Sequence, residues 1–132
     1  MRFMLMVRAS KDMEAGIMPE DDALFAQMAA FHEELAKAGV LLDASGLQPS
    51  AKGWRIKYSG DQRTAIDGPF AEAKELIAGY TLIKVKSREE AIEWTKRFLR
   101  VAGDGESEIR QMYDASDFVQ ETAQTAGRAA KA

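Results

Sequence analysis

Cysteine is absent from this sequence of 132 residues, and histidine occurs once, at position 32. The absence of cysteine excludes disulfides, thiolate nucleophiles, iron–sulfur clusters and zinc sites with cysteine ligands. A single histidine also excludes a metal site built from several histidines. We therefore expect no metal and no other cofactor. No apolar run is long enough to span a membrane, so we expect no membrane association either.

Motifs of the common enzyme classes are missing as well. The sequence has no glycine-rich phosphate loop, nucleophile elbow or internal repeat, and Gly103-Asp104-Gly105 lacks the spacing and the preceding strand of a dinucleotide site. The 18 basic and 21 acidic residues give a net charge of -3, and the basic residues are dispersed along the chain. Such a charge pattern disfavours nucleic acid as a partner.

The length fits one domain with one core, and 46% hydrophobic and 30% charged residues are typical of a globular protein. Residues 3–7 form an apolar run, but the run is too short for the hydrophobic part of a signal peptide, which needs about 7–15 residues. A small-residue cleavage site is also lacking. We therefore expect a cytoplasmic protein.

Hydrophobic periodicity predicts two helices. The first begins near Pro19, beside acidic residues that suit a helix start, and ends at Gly39. The second begins with Ser87 and Glu90, which form a capping box, and ends near Gly103. Each helix carries one apolar stripe: Leu24, Met28, Phe31, Leu35 and Ala38 in the first, and Ala91, Trp94, Phe98 and Val101 in the second.

Strands are predicted around these helices, at residues 3–7, 40–44, 54–58, 63–66, 80–86 and 108–113. The third and fourth form a hairpin, and the alternation of Trp54, Ile56 and Tyr58 with basic residues predicts a half-exposed strand. The order of elements predicts an α+β protein with a ferredoxin-like antiparallel sheet, two helices on one face and an inserted β-hairpin.

Two of the predicted strands, residues 3–7 and 80–86, carry apolar side chains on both faces. Two helices can cover only one face of the sheet. The other face would then expose a large apolar patch, and such patches mark association surfaces. We therefore expect a homodimer formed through the open sheet face.

The segment Asp67-Gly68-Pro69-Phe70, followed by Glu72, Lys74, Glu75 and Gly79-Tyr80, resembles the signature of the DGPF branch of the YCII-related proteins. Other segments agree with that group in type and order, namely Phe3-Met4-Leu5-Met6, Ala38-Gly39-Val40-Leu41, Gly46-Leu47-Gln48-Pro49, Ser87-Arg88-Glu89-Glu90-Ala91 and Glu108-Ile109-Arg110. The resemblance implies a domain over residues 1–114, a polar tail over residues 115–132 and a dimeric α+β barrel. It implies little about chemistry. A His and Asp pair has been proposed as catalytic in some members, nearer the helix start than His32 lies here, and many DGPF members are encoded beside alternative sigma factors.

Asp67 is the first candidate for chemistry. A carboxylate at the end of a hairpin strand, beside Gly68-Pro69 and Phe70, could be partly desolvated and act as a general base. The alternative is structural, with Asp67 accepting backbone N–H bonds that fix the turn.

Four other residues complete the predicted site. His32 lies at the border between core and solvent, where it could share a proton with Asp67 or simply pack with one hydrogen bond. Phe70, Glu75 and Tyr80 are predicted to line a pocket or binding surface nearby. Glu72 and Glu75 are predicted to share one face of a short helical segment. With Asp67 they could form an acidic pocket or bind a metal, and the alternative that we favour is solvated surface charge.

Two functions remain open. The first is a small cofactor-independent enzyme that uses acid/base chemistry on a small organic molecule, with Asp67 and His32 as catalytic residues. The second is a non-catalytic binding or regulatory module that offers a ligand pocket or a docking face for a protein such as a sigma factor.

Overall fold

The computed structural model describes residues 1–17, 22–103 and 105–118, with all their side chains except that of Lys74. Six strands are present: β1 Arg2–Arg8, β2 Leu41–Gly46, β3 Trp54–Ser59, β4 Gln62–Asp67, β5 Ile77–Lys84 and β6 Ser107–Gln111. The helices are α1 Lys11–Glu14, α2 Asp22–Lys37 and α3 Arg88–Ala102, and single 3-10 turns span Ser50–Lys52 and Ala73–Glu75. Residues 115–118 are also helical. The predicted helix start at Pro19, residue 104 and residues 119–132 of the predicted tail lie outside the described residues.

The main sheet has four antiparallel strands in the order β2-β5-β1-β6. Strand β1 is therefore central, and Met4 lies opposite Leu82 of β5 on one side and Arg110 of β6 on the other. Central position explains the continuous apolar run of β1, because both of its edges and both of its faces need partners. This order confirms the predicted ferredoxin-like α+β plan.

The core lies between one face of the main sheet and helices α2 and α3. Leu35 of α2 and Ile83 of β5 are fully buried at its centre, and burial of such a side chain stabilises the fold by about 1.5–3 kcal/mol. The remaining buried members of this core are Phe3, Leu5, Phe31, Val40, Val85, Ala91 and Phe98. Both predicted helical stripes are represented among them, although Ala38 is exposed just beyond α2.

Helix α3 begins with one half of the predicted capping box. The Ser87 hydroxyl accepts the N–H of Glu90 at 3.1 Å, as predicted for an N-cap serine. The Glu90 carboxylate, however, accepts the N–H of Lys86 at 3.0 Å, one residue before the N-cap, and not the N–H of Ser87. The helix ends at Gly103, whose φ of 86° is readily adopted only by glycine.

The β3–β4 hairpin differs from the prediction. It forms a separate two-stranded sheet, and all of its residues are exposed, including Trp54 at 64% and Ile56 at 60%. We predicted a half-exposed strand from its alternating pattern, which was wrong for the single chain. The pattern identifies which face is apolar, but no layer of this chain lies beneath that face in the described residues.

The face of the main sheet opposite the helices carries an apolar strip. Met4 and Met6 of β1 lie beside Leu82 and Tyr80 of β5, and all four are half-buried. We refer to these four side chains as the open-face strip. Among the described residues, each helix is too short or too polar to serve as a transmembrane segment.

Candidate functional site

The DGPF loop, residues 67–70, follows β4 and passes close to the turn at Ser50. The Gly68 N–H donates to the Gly53 carbonyl at 3.0 Å. A Cβ atom at Gly68 would lie 1.8 Å from the Ser50 carbonyl oxygen, far inside van der Waals contact. The peptide bond between Gly68 and Pro69 is cis. Glycine is therefore required at position 68 by this close approach of two backbone segments.

Glu14 fastens the DGPF loop through Ser50. The Ser50 hydroxyl donates to the Glu14 carboxylate, and the Ser50 N–H donates to the same carboxylate at 3.1 Å. The Ser50 hydroxyl oxygen also accepts the N–H of Phe70 at 3.0 Å. Three segments that are distant in sequence, α1, the turn at Ser50 and the loop, are thus joined at one hydroxyl. We refer to Glu14, Ser50 and Phe70 as the loop latch.

The Asp67 carboxylate takes no part in this arrangement. Asp67 is exposed, and among the described residues its side chain forms neither a hydrogen bond nor an ion pair. The structural alternative, in which this carboxylate fixes the turn by accepting backbone N–H bonds, is therefore not what the structure shows. The loop latch and the Gly68 contact fix the turn instead.

Trp54 lies directly opposite Asp67 in the hairpin register. Paired residues of antiparallel strands point to the same face, with their Cβ atoms roughly 4.5–5.5 Å apart. The indole is 64% exposed. A surface that covered this indole would therefore also remove water from the Asp67 carboxylate.

His32 is half-buried on α2, as its predicted border position requires. Its Nδ1 lies 2.9 Å from the Met28 carbonyl oxygen, which can only accept a hydrogen bond, so Nδ1 carries the proton. In the neutral ring, Nε2 then has the lone pair. The ring also packs edge-on against Phe31, with centroids 5.9 Å apart. No hydrogen bond joins His32 to Asp67 within the described part of the chain.

The three predicted pocket residues occupy three different surroundings. Phe70 is half-buried beneath the Arg55 guanidinium, which lies 3.8 Å from the ring centroid. Glu75 is exposed on its 3-10 turn. Tyr80 belongs to the open-face strip, and its hydroxyl donates to the Asp43 carboxylate at 3.1 Å. Within the described part of the chain, no hydrogen bond or ring contact joins these three side chains to one another.

The predicted pairing of Glu72 and Glu75 on one helical face is wrong. Glu72 has a left-handed backbone, with φ of 62°, and precedes the 3-10 turn rather than lying within it. The two carboxylates therefore do not share a helical face. In the described residues, no group of three or more His, Asp or Glu side chains is arranged to hold a metal ion.

Sequence reasoning missed Glu14, Ser50 and Arg55. Glu14 lies on α1, a helix of four residues that is too short to produce a periodic pattern. Ser50 follows Pro49 in a stretch recognisable only as a loop. Arg55 alternates with apolar residues in β3, and this pattern gives the face of the strand but not the aromatic ring that the guanidinium covers.

Comparison with known proteins gives a family, a curated relative and a similar solved structure. The family model for the YCII-related domain matches residues 1–116. An uncharacterised protein of Rhizobium meliloti (strain 1021) is 30% identical over 77 residues, which cover 58% of this chain and 62% of that protein. The alignment therefore spans less than two thirds of the relative's length.

Among solved structures, this chain is similar to the 5-chloro-2-hydroxyhydroquinone dehydrochlorinase from Burkholderia phenoliruptrix AC1100 in complex with 2,5-dihydroxybenzoquinone. The TM-score is 0.49 at 10% sequence identity, over 89% of this chain and 98% of that one. The family assignment comes from the sequence match, which covers most of the chain and includes the DGPF loop with β1 and α3. The protein belongs to the YCII-related domain family.

Proposed function

We propose that this protein is a small enzyme that needs no bound cofactor and moves a proton on a small organic molecule, with Asp67 as the proton acceptor. The observation that carries the proposal is that the DGPF loop is fixed by Gly68 and the loop latch, while the Asp67 carboxylate enters none of these contacts. A residue kept on a rigid turn without a structural bond of its own is available to a ligand.

Water has to be excluded from Asp67 for efficient proton transfer, because charged groups interact more strongly in a dry site. In the single chain this carboxylate is exposed. A ligand or a second copy of the chain that covers Trp54 would supply the missing cover, since both side chains lie on one face of the hairpin.

His32 is the candidate for the second proton-transfer group. Its Nδ1–H bond to the Met28 carbonyl orients the ring and leaves Nε2 to accept a proton. No hydrogen bond joins His32 to Asp67 in the described residues, so His32 takes part in the proposed reaction only if a bound ligand reaches both side chains.

The test is deuterium uptake from D2O into a panel of ketones and 1,3-dicarbonyl compounds, followed by proton NMR. General-base catalysis contributes about 100-fold or more to rate, so Asp67→Asn should reduce the exchange rate by that factor. Asp61→Asn, at the exposed hairpin turn, removes the same charge and should leave the rate unchanged. Exchange by Asp67→Asn at the rate of the unmodified protein would rule out Asp67 as the base.

A non-catalytic binding or regulatory module is the second candidate. It is favoured by the exposure of Asp67 and Glu75 and by the different contacts of Phe70 and Tyr80, which are made to Arg55 and Asp43 respectively. If the unmodified protein exchanges none of the compounds but one of them still shifts the amide signals of the DGPF loop, binding without catalysis is the better description.

We also propose that a second copy of the chain covers the open-face strip. On the β6 side of the strip, Arg110 and Glu108 lie opposite Met4 and Met6 and form an ion pair at 3.8 Å. Asp43 lies on the β2 side, opposite Leu82. In a two-fold dimer the same surface of both copies meets, so Arg110 of one copy can approach Asp43 of the other. This arrangement would give the dimeric α+β barrel that the family resemblance implies.

A further inference from the structure

A cavity of about 390 Å³ lies between α3 and the part of the main sheet formed by β1 and β6. Its apolar wall consists of Phe3, Ala91, Ile92 and Ile109, and its polar lining consists of Arg88, Ser107 and Gln111. None of these residues belongs to the DGPF loop or the loop latch. We propose that this cavity, which we call the α3 cavity, binds a small organic carboxylate.

The positive charge of Arg88 indicates that the ligand of the α3 cavity is an anion. Arg88 is the one charged residue among the seven that line the α3 cavity. It is exposed, and within residues 1–17, 22–103 and 105–118 its guanidinium forms no ion pair. A guanidinium presents its N–H groups in a planar fork that matches the two oxygens of a carboxylate. An anion with one carboxylate therefore fits the single positive charge at the cavity.

The apolar lining of the α3 cavity indicates that the carboxylate is attached to an apolar group. Phe3 and Ala91 are buried, and Ile92 and Ile109 are half-buried. An apolar body placed against them would leave water, at a gain of about 25 cal/mol per Å² of buried surface. The volume lies in the lower part of the range for small-molecule pockets, which is about 300–1,000 Å³. A single ring or a short branched chain suits this volume.

Gln111 can help to orient such a ligand. Its side chain is exposed at the cavity, and its amide N–H groups can donate to a carboxylate oxygen. The Ser107 hydroxyl donates to the Met6 carbonyl at 2.9 Å, so it has no proton left for the carboxylate. Its oxygen can accept a hydrogen bond only from a donor elsewhere on the ligand.

The experiment uses benzoate as the probe and benzamide as its neutral counterpart. Each is titrated into the full chain labelled with nitrogen-15, to about 10 mM, which reaches the millimolar binding expected of a weak site. We expect benzoate to shift the amide signals of Ser107, Ile109 and Gln111. Benzamide keeps the ring but loses the charge, so it should bind about tenfold more weakly or worse.

Two arginine variants complete the test. Arg88→Gln should weaken benzoate binding by about tenfold or more, and Arg88→Lys, which keeps the charge, should recover part of the loss. The matched control is Arg100→Gln, the same charge change about 18 Å further along α3, which should bind benzoate like the unmodified chain. Arg88 is exposed, so its replacement should leave the fold intact.

Three outcomes would overturn the proposal. The first is the absence of any benzoate-induced shift at the α3 cavity, and the second is equal affinity for benzoate and benzamide. The third is an Arg88→Gln variant that binds benzoate as tightly as the Arg100→Gln control. The proposal does not depend on the proposed acid/base function, because it involves none of the same residues.

Discussion

Gly68 shows how a single position can be fixed by the backbone around it. Its missing Cβ leaves room for the Ser50 carbonyl oxygen, which would otherwise lie 1.8 Å from that atom. Because the obstacle is backbone, it cannot rotate away as a side chain could. We predict that Gly68→Ala lowers the free energy of unfolding by about 2–3 kcal/mol, the upper part of the range for overpacking. Urea denaturation, monitored by circular dichroism, measures this change in the free energy of unfolding.

Gly53→Ala is the matched control for that prediction. A Cβ atom at Gly53 would lie 3.6 Å from the same Ser50 carbonyl oxygen, an ordinary van der Waals distance. Its destabilisation should therefore be well under half that of Gly68→Ala. Equal losses in the two variants would show that flexibility of the glycine, rather than the close approach, matters at position 68.

At the residue scale, the sequence predicted local features better than distant ones. Ser87 and Glu90 are three residues apart, and the N-cap bond between the Ser87 hydroxyl and the Glu90 N–H follows from that spacing alone. Asp67 was recognised as a turn residue, but the groups that fix its turn lie far away in sequence, at Glu14 and Ser50. No local pattern records a hydrogen bond between residues 36 positions apart.

At the scale of elements, the loop latch makes α1 part of the DGPF loop. Glu14 accepts two hydrogen bonds from Ser50, and hydrogen bonds to charged groups contribute about 1.5–3 kcal/mol when well shielded. Both residues are half-buried, so we predict a coupling energy near 1 kcal/mol. A double-mutant cycle of Glu14→Gln and Ser50→Ala, measured by urea denaturation, gives this value.

The role of the loop latch can also be tested at the DGPF loop itself, through the amide signal of Phe70. Ser50→Ala removes the acceptor for the Phe70 N–H, so the amide signal of Phe70 should move more than that of Ala65 in the neighbouring strand. Additive single effects, with a coupling near zero, would mean that the latch does not hold the loop in solution.

The β3–β4 hairpin leads to a prediction about local stability. It pairs with no other strand and is exposed throughout, and an isolated two-stranded hairpin is marginal in water. Its amides should exchange with solvent at least about 100-fold faster than those of β5 in the single chain. Hydrogen exchange with mass spectrometry compares residues 54–67 with residues 77–84.

Protein concentration is the control for this comparison. If a second copy covers the hairpin, its protection should rise with protein concentration, while that of β5 changes less. Hairpin protection as strong as that of β5 in dilute solution would contradict the structure of the single chain.

Predictability of the elements followed their length and burial. Strands β1 and β5 and helix α3 were identified because each carries enough apolar residues for a period to appear. Helix α1 has four residues and buries none of them, so it gave no such signal. The position of the hairpin was predicted correctly, but its degree of exposure was not. The alternation of apolar and basic residues shows which face is apolar, but not whether another part of the protein covers that face.

At the scale of the whole molecule, the open-face strip predicts self-association. Leu82 lies in its middle, opposite Met4. We predict that the protein sediments as a dimer at micromolar concentration. Leu82→Glu should shift it to a monomer, because a carboxylate buried in an apolar interface without a partner is costly. Analytical ultracentrifugation distinguishes the two states.

Leu47→Glu is the matched control, because Leu47 is 47% exposed and lies outside every strand. It should leave the sedimentation coefficient unchanged. If the unmodified protein sediments as a monomer at micromolar concentration, the proposed dimer is wrong. A second copy of the chain could then not exclude water from Asp67, and only a ligand could.

The central position of β1 also has a consequence for synthesis on the ribosome. Both strands that pair with β1 are synthesised much later than β1 itself, since Met4 pairs with Leu82 of β5 and Arg110 of β6. At roughly 5–20 residues per second, about 80 residues take several seconds to translate. During that time the first apolar segment of the nascent chain has no native partner strand. The main sheet therefore closes only after most of the polypeptide has emerged, and molecular chaperones have their greatest opportunity to bind during that interval.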